Sequence, residues 1–197
     1  FIRREKMDRE WQKKIPKEIL DKMIAKKLNP FYVRPRFEDT VAKLVSSIEE
    51  NSVCLFYDVG AVIYKNKHVL STGFNGPASG DIHCTEVGCA RVVDGEIKSG
   101  TGLCRGTHAE LNAIGNAAKF GINIAGASMI TSWRPCFTCA KQIVNAELKQ
   151  IMYLYDYGDD NNVEQYLRKL HINLFKYESD YLSKWMKKFN GQIPIPK

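Results

Sequence analysis

The sequence has no run of the roughly 18 apolar residues needed to cross a bilayer, so a membrane-spanning protein is not expected. It has no internal repeat and no low-complexity tract, which excludes a solenoid, a fibrous array or a disordered tail. Its 14 glycines and 7 prolines are scattered without period, which excludes a collagen-like chain. The opening stretch Phe1-Ile2-Arg3-Arg4-Glu5-Lys6 leads into further charge rather than an apolar segment, so no secretory leader is expected. Acidic residues are the scarcer charge, 22 against 29 basic ones for a net +7. That balance favours an anionic ligand, a nucleotide phosphate or a nucleic-acid backbone, without choosing between them.

What is present suffices for one buried core: 197 residues, 44% of them hydrophobic, make a globular protein of about one domain. Six cysteines without a secretory signal point to a reducing compartment, the cytoplasm, where thiols more often hold metal than form disulfides.

Along the chain, residues 3–28 read as a helix with Trp11, Ile15, Ile19, Met23 and Leu28 near a helical period, and Pro16 makes two shorter helices equally compatible. The bland reading is a solvated face around a packing stripe, and a basic helix on RNA or membrane is the minority reading. Asn29-Pro30 and Arg34-Pro35 break the pattern before a second amphipathic helix over 37–50. The period then changes to two. Residues 59–64 and 68–74 flank Lys65-Asn66-Lys67 as an antiparallel hairpin. Residues 75–107 are rich in Gly and Cys without period, a length of irregular chain that is usually functional or pinned by something. Beyond them helices 108–120, 136–146, 161–170 and 180–190 alternate with strands 127–132, 149–155 and 172–176. This is an α/β sandwich with a mixed five-stranded sheet, because a hairpin opens it and crossovers follow.

The chemistry lies at two predicted helix starts. His108-Ala109-Glu110 opens one and Pro135-Cys136-Phe137-Thr138-Cys139 the other. Zinc is commonly held by one imidazole and two thiolates with the fourth position left for water. Cys136 and Cys139, three apart, share a helix face, and the positive end of that helix favours the thiolate. His108 supplies the third ligand. A Cys-x-x-Cys alone is as often a structural zinc corner or a redox pair, and a lone His is often a satisfied helix terminus. The two elements together, with Glu two residues after His, match the pattern in which a metal lowers the pKa of its water towards ~7 and the carboxylate carries the proton without ligating. Glu110 takes that role.

The stretches Gly106-Thr107-His108-Ala109-Glu110-Leu111-Asn112-Ala113-Ile114, Ile124 to Ile130 and Pro135-Cys136-Phe137-Thr138-Cys139-Ala140-Lys141 resemble the deoxycytidylate (dCMP) deaminases. Val59 to Ile63 and Gly73-Phe74-Asn75-Gly76 resemble the same family's first hairpin and nucleotide-binding turn. Transfer RNA adenosine deaminases look similar around the metal but usually carry Met within the Cys-x-x-Cys pair. The resemblance covers about residues 37–178, leaving 1–36 as a basic helical extension and 179–197 as a C-terminal helix and tail. It implies a three-layer α/β/α cytidine deaminase-like sandwich, catalytic zinc on His108, Cys136 and Cys139, and Asn75 near the sugar. It also places Tyr157 at the pocket, although Tyr153, Tyr155 and Tyr157 alternate as plain sheet packing would. Ala109 lies within the motif, and Trp133-Arg134, a departure from the family pattern beside the metal, bears on base or phosphate recognition. Phe74, Ile130 and Ser132 also depart from it. Lys65, Lys67, Arg105 and Arg134 are the phosphate candidates near the motifs.

Cys54, Cys84, Cys89 and Cys104 remain. Their spacing around the irregular segment suits a second, structural zinc that would keep a long polar loop ordered, with His83 as substitute ligand, against the bland reading of small buried thiols. Many microbial members of the family are similar in carrying such a site. His68 and His171 read as structural or surface residues.

The expected function is zinc-dependent hydrolysis of a deoxycytidine nucleotide, most directly dCMP to dUMP and ammonia. The alternatives are a deaminase acting on bases in RNA or single-stranded DNA, and a non-catalytic zinc-stabilised nucleotide-binding module, against which the intact Glu110 argues. The resemblance also implies a homo-oligomer and control by deoxycytidine and thymidine triphosphates (dCTP and dTTP).

Overall fold

The structure, a computed structural model, describes residues 13–25, 34–98, 102–156 and 161–188. The chain divides into two compact units, residues 1–34 and 35–197. In the first, helix α1 (Lys17–Met23) starts directly after Pro16 and buries no residue. Proline cannot continue a helix from within, but its fixed φ suits a start. Of the longer helix expected over 3–28, the parts before residue 13 and after 25 lie outside the described residues. Ile19 is 51% exposed, so the expected packing stripe is not buried in α1.

The second unit opens with α2 (Phe37–Glu49), an amphipathic helix that buries Val41, Ala42 and Val45. Strands β1 (Gly60–Lys65) and β2 (His68–Phe74) follow as the expected hairpin. Lys65 pairs with His68, so the turn is tighter than the three-residue link in the sequence reading. Asn66 and Lys67 both take left-handed φ values of 51° and 62°, as a two-residue hairpin turn requires.

The segment that lacked a period carries short pieces: β3 (Gly76–Pro77), α3 (Cys84–Val87), β4 (Val92–Val93), β5 (Glu96–Ile97) and β6 (Gly106–Thr107). Elements of two to four residues are too short to leave a periodic signature. Then come α4 (Ala109–Lys119), β7 (Ser128–Trp133), α5 (Phe137–Asn145), β8 (Gln150–Tyr155), α6 (Asn161–Lys169), β9 (Asn173–Lys176) and α7 (Asp180–Lys188).

The main sheet has the order β2-β1-β7-β8-β9, with β1 antiparallel to β2 and β7, and β7, β8 and β9 parallel. It is the mixed five-stranded sheet expected, and helices cover both faces. Strand alternation sorts the core into two halves. Ala61, Ile63, Met129 and Ile151 pack with α4, α5 and α6 on one face. Val62, Tyr64, Ile130 and Met152 pack with α2 and α7 on the other. The architecture is the three-layer α/β/α sandwich.

Two glycines set the layer spacing. A Cβ at Gly60 would stand 2.6 Å from the Val45 carbonyl oxygen, and one at Gly73 would stand 2.3 Å from the Ala109 carbonyl oxygen. Both helices thus approach the hairpin closer than any other residue allows. Asp39 ties α7 to α2: its buried carboxylate accepts from Arg36 N at 2.7 Å, Tyr177 OH at 2.8 Å and the Ser179 hydroxyl.

Candidate metal centre and nucleotide pocket

The site forms where two helix starts and two strand ends converge. His108 is the N-cap of α4 and Cys136 the N-cap of α5, with Cys139 in the first turn of α5. Gly73 lets α4 lie on β2, and α4 side chains hold it there: Asn112 Nδ2 donates to the Phe74 carbonyl at 2.7 Å and Asn116 Nδ2 to the Thr72 carbonyl at 2.9 Å. The small β3–β6 ladder pairs Gly76 with Thr107, so the Asn75 turn runs beside the residue that precedes His108. Strand β7 delivers Trp133, Arg134 and Pro135 to the start of α5, and Arg134 N continues its pairing with β8 by donating to the Tyr155 carbonyl at 2.9 Å.

His108 Nδ1 lies 3.4 Å from Cys136 Sγ and 3.3 Å from Cys139 Sγ. Among the described residues these three are the only set of three or more His, Cys, Asp or Glu whose ligand atoms all lie within 4.8 Å of one another. Zinc bond lengths of about 2.3 Å to S and 2.0–2.1 Å to N at tetrahedral angles separate N and S by about 3.5 Å. The donor set therefore fits zinc in chemistry and in spacing.

The electrostatics agree. The Cys136 thiol is drawn down to about 4, first by a hydrogen bond from Cys139 and also by His108. Cys139 is driven the opposite way by its contact with Cys136 and by burial. The imidazole beside them has its own pKa raised by Cys136, and a thiolate next to an imidazole is a donor pair that a divalent cation would bind. Both helices point their positive ends here, which adds to thiolate stability.

Glu110, only 4% exposed, stands beside this group. Burial raises its pKa, with His108 pulling the other way. A buried carboxyl next to a metal position is suited to take and return a proton.

The cavity over this group is lined by Asn75, Ala109, Glu110, Trp133, Arg134 and Cys136, among others. Asn75 is already engaged: Oδ1 accepts from Val59 N at 2.9 Å and Nδ2 donates to the Tyr57 carbonyl at 2.8 Å. That leaves the amide one N–H and one lone pair for a ligand. Trp133 is held edge-on to Tyr57 at 6.2 Å between centroids and tilted on Tyr155 at 5.3 Å, and its indole N–H donates to the Asp58 carbonyl at 3.1 Å. Tyr157 lies outside the described residues.

Of the phosphate candidates, Arg105 and Arg134 reach the cavity. Lys65 does not line it and instead donates to the Ala125 carbonyl at 2.6 Å. Lys67 does not line it either. Sequence reasoning missed Arg91, Tyr57 and Thr107 in the wall. Thr107 could have been found from its place beside His108, but nothing local to Arg91 signals it.

All four remaining cysteines line the same cavity. Burial pushes the Cys84 thiol up, Arg105 pulls it down, and Cys54, Cys89 and Cys104 add to the rise. The four are neighbours, though no three of their sulfurs all lie within 4.8 Å of one another. His83 turns to Glu86, with Nδ1 3.5 Å from its carboxylate. No helix among the described residues is long and apolar enough to cross a membrane.

A family model for the cytidine and deoxycytidylate deaminase zinc-binding region matches residues 38–155. ComE operon protein 2 of Bacillus subtilis is 31% identical over 129 residues, which cover 66% of this chain and 65% of that protein. The deoxycytidylate deaminase of Schizosaccharomyces pombe is 29% identical over 152 residues, 76% of this chain and 47% of that protein. The chain thus spans less than two thirds of either relative. Among solved structures, a dCMP deaminase from the cyanophage S-TIM5 in complex with dCMP and dUMP is similar with a TM-score of 0.61 and 26% identity, over 74% of this chain and all of that one.

Proposed function

The chain belongs to the cytidine and deoxycytidylate deaminase zinc-binding family, and from that premise we propose that it is a nucleotide aminohydrolase converting dCMP to dUMP and ammonia. The observation that carries this reading is the His108, Cys136 and Cys139 group with buried Glu110 at its side, in a cavity whose wall also holds Asn75 and three arginines. The dCMP and dUMP bound in the cyanophage relative support the substrate class.

His108, Cys136 and Cys139 hold the zinc. When bound, zinc supplies the Lewis acidity that makes water a nucleophile near neutral pH. Glu110 takes the proton that water loses on adding to C4 of the ring and places it on N3. A new C–O bond forms at C4; Glu110 then takes the remaining proton from that C4 hydroxyl and passes it to the amino nitrogen as the C4–N bond breaks and the C4 carbonyl forms, so water and dCMP become dUMP and ammonia. Ala109, fully buried in the first turn of α4, adds no bulk against the ring. Trp133, held by Tyr57, by Tyr155 and at its N–H, forms a rigid wall for it. Asn75 offers its spare N–H and lone pair to the sugar.

In the same reading Cys54, Cys84, Cys89 and Cys104 hold a second, structural zinc, with His83 in reserve, and their closeness to Cys84 supports it. Residues 37–178 are the catalytic domain, 1–36 an N-terminal extension and 179–197 a C-terminal helix and tail. The protein works as a homo-oligomer controlled by dCTP and dTTP, in the cytoplasm, where its six free cysteines stay reduced.

The test is ammonia release and product identity with dCMP, dCTP, deoxycytidine and a single-stranded oligonucleotide in parallel, with zinc measured on the same sample. Turnover of dCMP with close to two zinc per chain is expected. Reaction of the oligonucleotide alone would overturn the nucleotide reading, and one zinc per chain would overturn the second site.

A further inference from the structure

Three arginines, Arg91, Arg105 and Arg134, line the cavity, and their guanidinium groups are not equivalent. Arg105 is answered by Asp81 at 2.6 Å and by the Ile82 carbonyl at 2.7 Å. Arg91 turns its Nε to the Lys98 carbonyl at 2.9 Å. Arg134 has only 10% of its side chain exposed, and its Nε is buried with no acceptor among the described residues. Among the described residues its ion pair is with Glu164 at 3.6 Å, and the other oxygen of that carboxylate takes a 2.6 Å bond from Arg168; Asp156 is also close enough to feel its charge. The guanidinium carbon also lies 5.9 Å from the Tyr153 ring centroid.

A guanidinium stays charged throughout the working pH range, and leaving it buried with its Nε–H unanswered is costly. The charged groups around it do not close the account. Arg134, Arg168 and Lys176 stand against Glu164 and Asp156, and Lys176 is already held by Asp156 at 2.8 Å. Among the described residues one positive charge is in excess at the C-terminal ends of the parallel strands β7, β8 and β9, the end at which such sheets bind ligands. The backbone from which Arg134 projects is held, since its main-chain N–H donates to the Tyr155 carbonyl and Pro135 follows.

We propose that Arg134 gives the site its preference for a substrate bearing an anionic phosphate over the neutral nucleoside, by pairing with a phosphate oxygen. This rests on the nucleotide deaminase reading above and assigns its specificity to one side chain.

The test uses the zinc-loaded full chain as wild type, Arg134→Met and Arg134→Lys. It measures kcat/KM on dCMP and deoxycytidine, and calorimetric affinity for dUMP and deoxyuridine. Arg134→Met is expected to lower kcat/KM on dCMP and affinity for dUMP by about 10- to 100-fold, the scale of a charge-assisted hydrogen bond. Deoxycytidine and deoxyuridine should change by less than about twofold on the same reasoning. Arg134→Lys, which keeps a point charge and a stem against Tyr153 but not the fork, should recover part of the loss. It also keeps the test alive if the Met variant fails to fold, since the dCMP to deoxycytidine ratio must still fall several-fold below wild type. Equal losses on nucleotide and nucleoside would make Arg134 a packing or base-contact residue and overturn the proposal, as would no loss on either. A wild type that neither turns over dCMP nor binds dUMP would remove the parent reading as well, so the two failures are distinct.

Discussion

Replacing Glu49 with glutamine is expected to stabilise the protein at pH 8 and to have little effect near pH 4.5. Glu49 ends α2 and is 7% exposed, against the backbone of Gly60 and the side chain of Ser132. The Ser132 hydroxyl donates to it, and Gly60 N donates to that hydroxyl at 2.9 Å. Burial drives the Glu49 carboxyl from 4.5 up to about 7, Asp58 and Glu50 add to the rise, and the Ser132 hydrogen bond opposes it. A carboxyl that binds its proton more tightly in the folded state than in the unfolded chain makes stability fall as pH rises from the unfolded pKa to the folded one. The window therefore opens near 4.5 and closes near 7. At about 1.4 kcal/mol for each pH unit, the ionised form is about 3 kcal/mol worse than a neutral one once both limits are passed.

Glutamine keeps the shape and an acceptor for Ser132 without the charge. Its amide N–H₂ costs up to about 1 kcal/mol if it finds no partner, an offset that is the same at every pH. The assay is urea unfolding of wild type and Glu49→Gln at pH 5, 6, 7 and 8 with matched zinc content, read as the difference between the two proteins so that other titrations cancel. The difference should rise by about 2–3 kcal/mol in favour of Gln from pH 5 to pH 8. A pH-independent difference, or one that runs the other way, would refute the placement of Glu49 as a buried acid. Ser132→Ala should lift the Glu49 pKa further, carrying the loss of stability to higher pH and enlarging its total without changing the limiting slope, which separates the burial effect from the hydrogen bond.

Glu110→Gln should lower turnover of dCMP by at least about 10²–10⁴-fold while zinc content and dUMP affinity stay near wild type; a variant with wild-type activity would remove Glu110 as the proton carrier. Gly73→Ala would place its Cβ 2.3 Å from the Ala109 carbonyl oxygen and 2.4 Å from Ala113 N. Since α4 carries His108 and Glu110, a loss of about 2 kcal/mol or more and a fall in activity should come together, and an unchanged melting temperature would contradict the packing. Asp39→Ala removes the acceptor of three hydrogen bonds and should cost about 2–3 kcal/mol in urea at pH 7. Limited proteolysis should then cut near 177–188 first, and protection there equal to wild type would count against the α2–α7 tie.

The regular elements were legible because each carries its period in its own residues. The alternation that sends Val62 and Tyr64 to one face and Ala61 and Ile63 to the other is written in β1, and the metal triad is written at two helix starts only 28 residues apart. What stayed hidden depends on partners distant in sequence. Glu49 looks like any acid at a helix end until Gly60 and Ser132, 83 residues away, close over it. Arg91 gives no local sign of facing a cavity. Arg134 could be suspected from its place beside Pro135 and Cys136, but not the half-answered charge that distinguishes it from Arg105. That charge is a property of Glu164 being shared with Arg168, and no one-dimensional pattern records which of two arginines a carboxylate answers first. The same reasoning explains why the cysteines divide as they do. Cys136 and Cys139 are brought together by one turn of helix, so their spacing alone fixes their distance. Cys54, Cys84, Cys89 and Cys104 come to line one cavity only through the path of the irregular segment, which the β3–β6 ladder closes, and their separation follows from that path rather than from any helix.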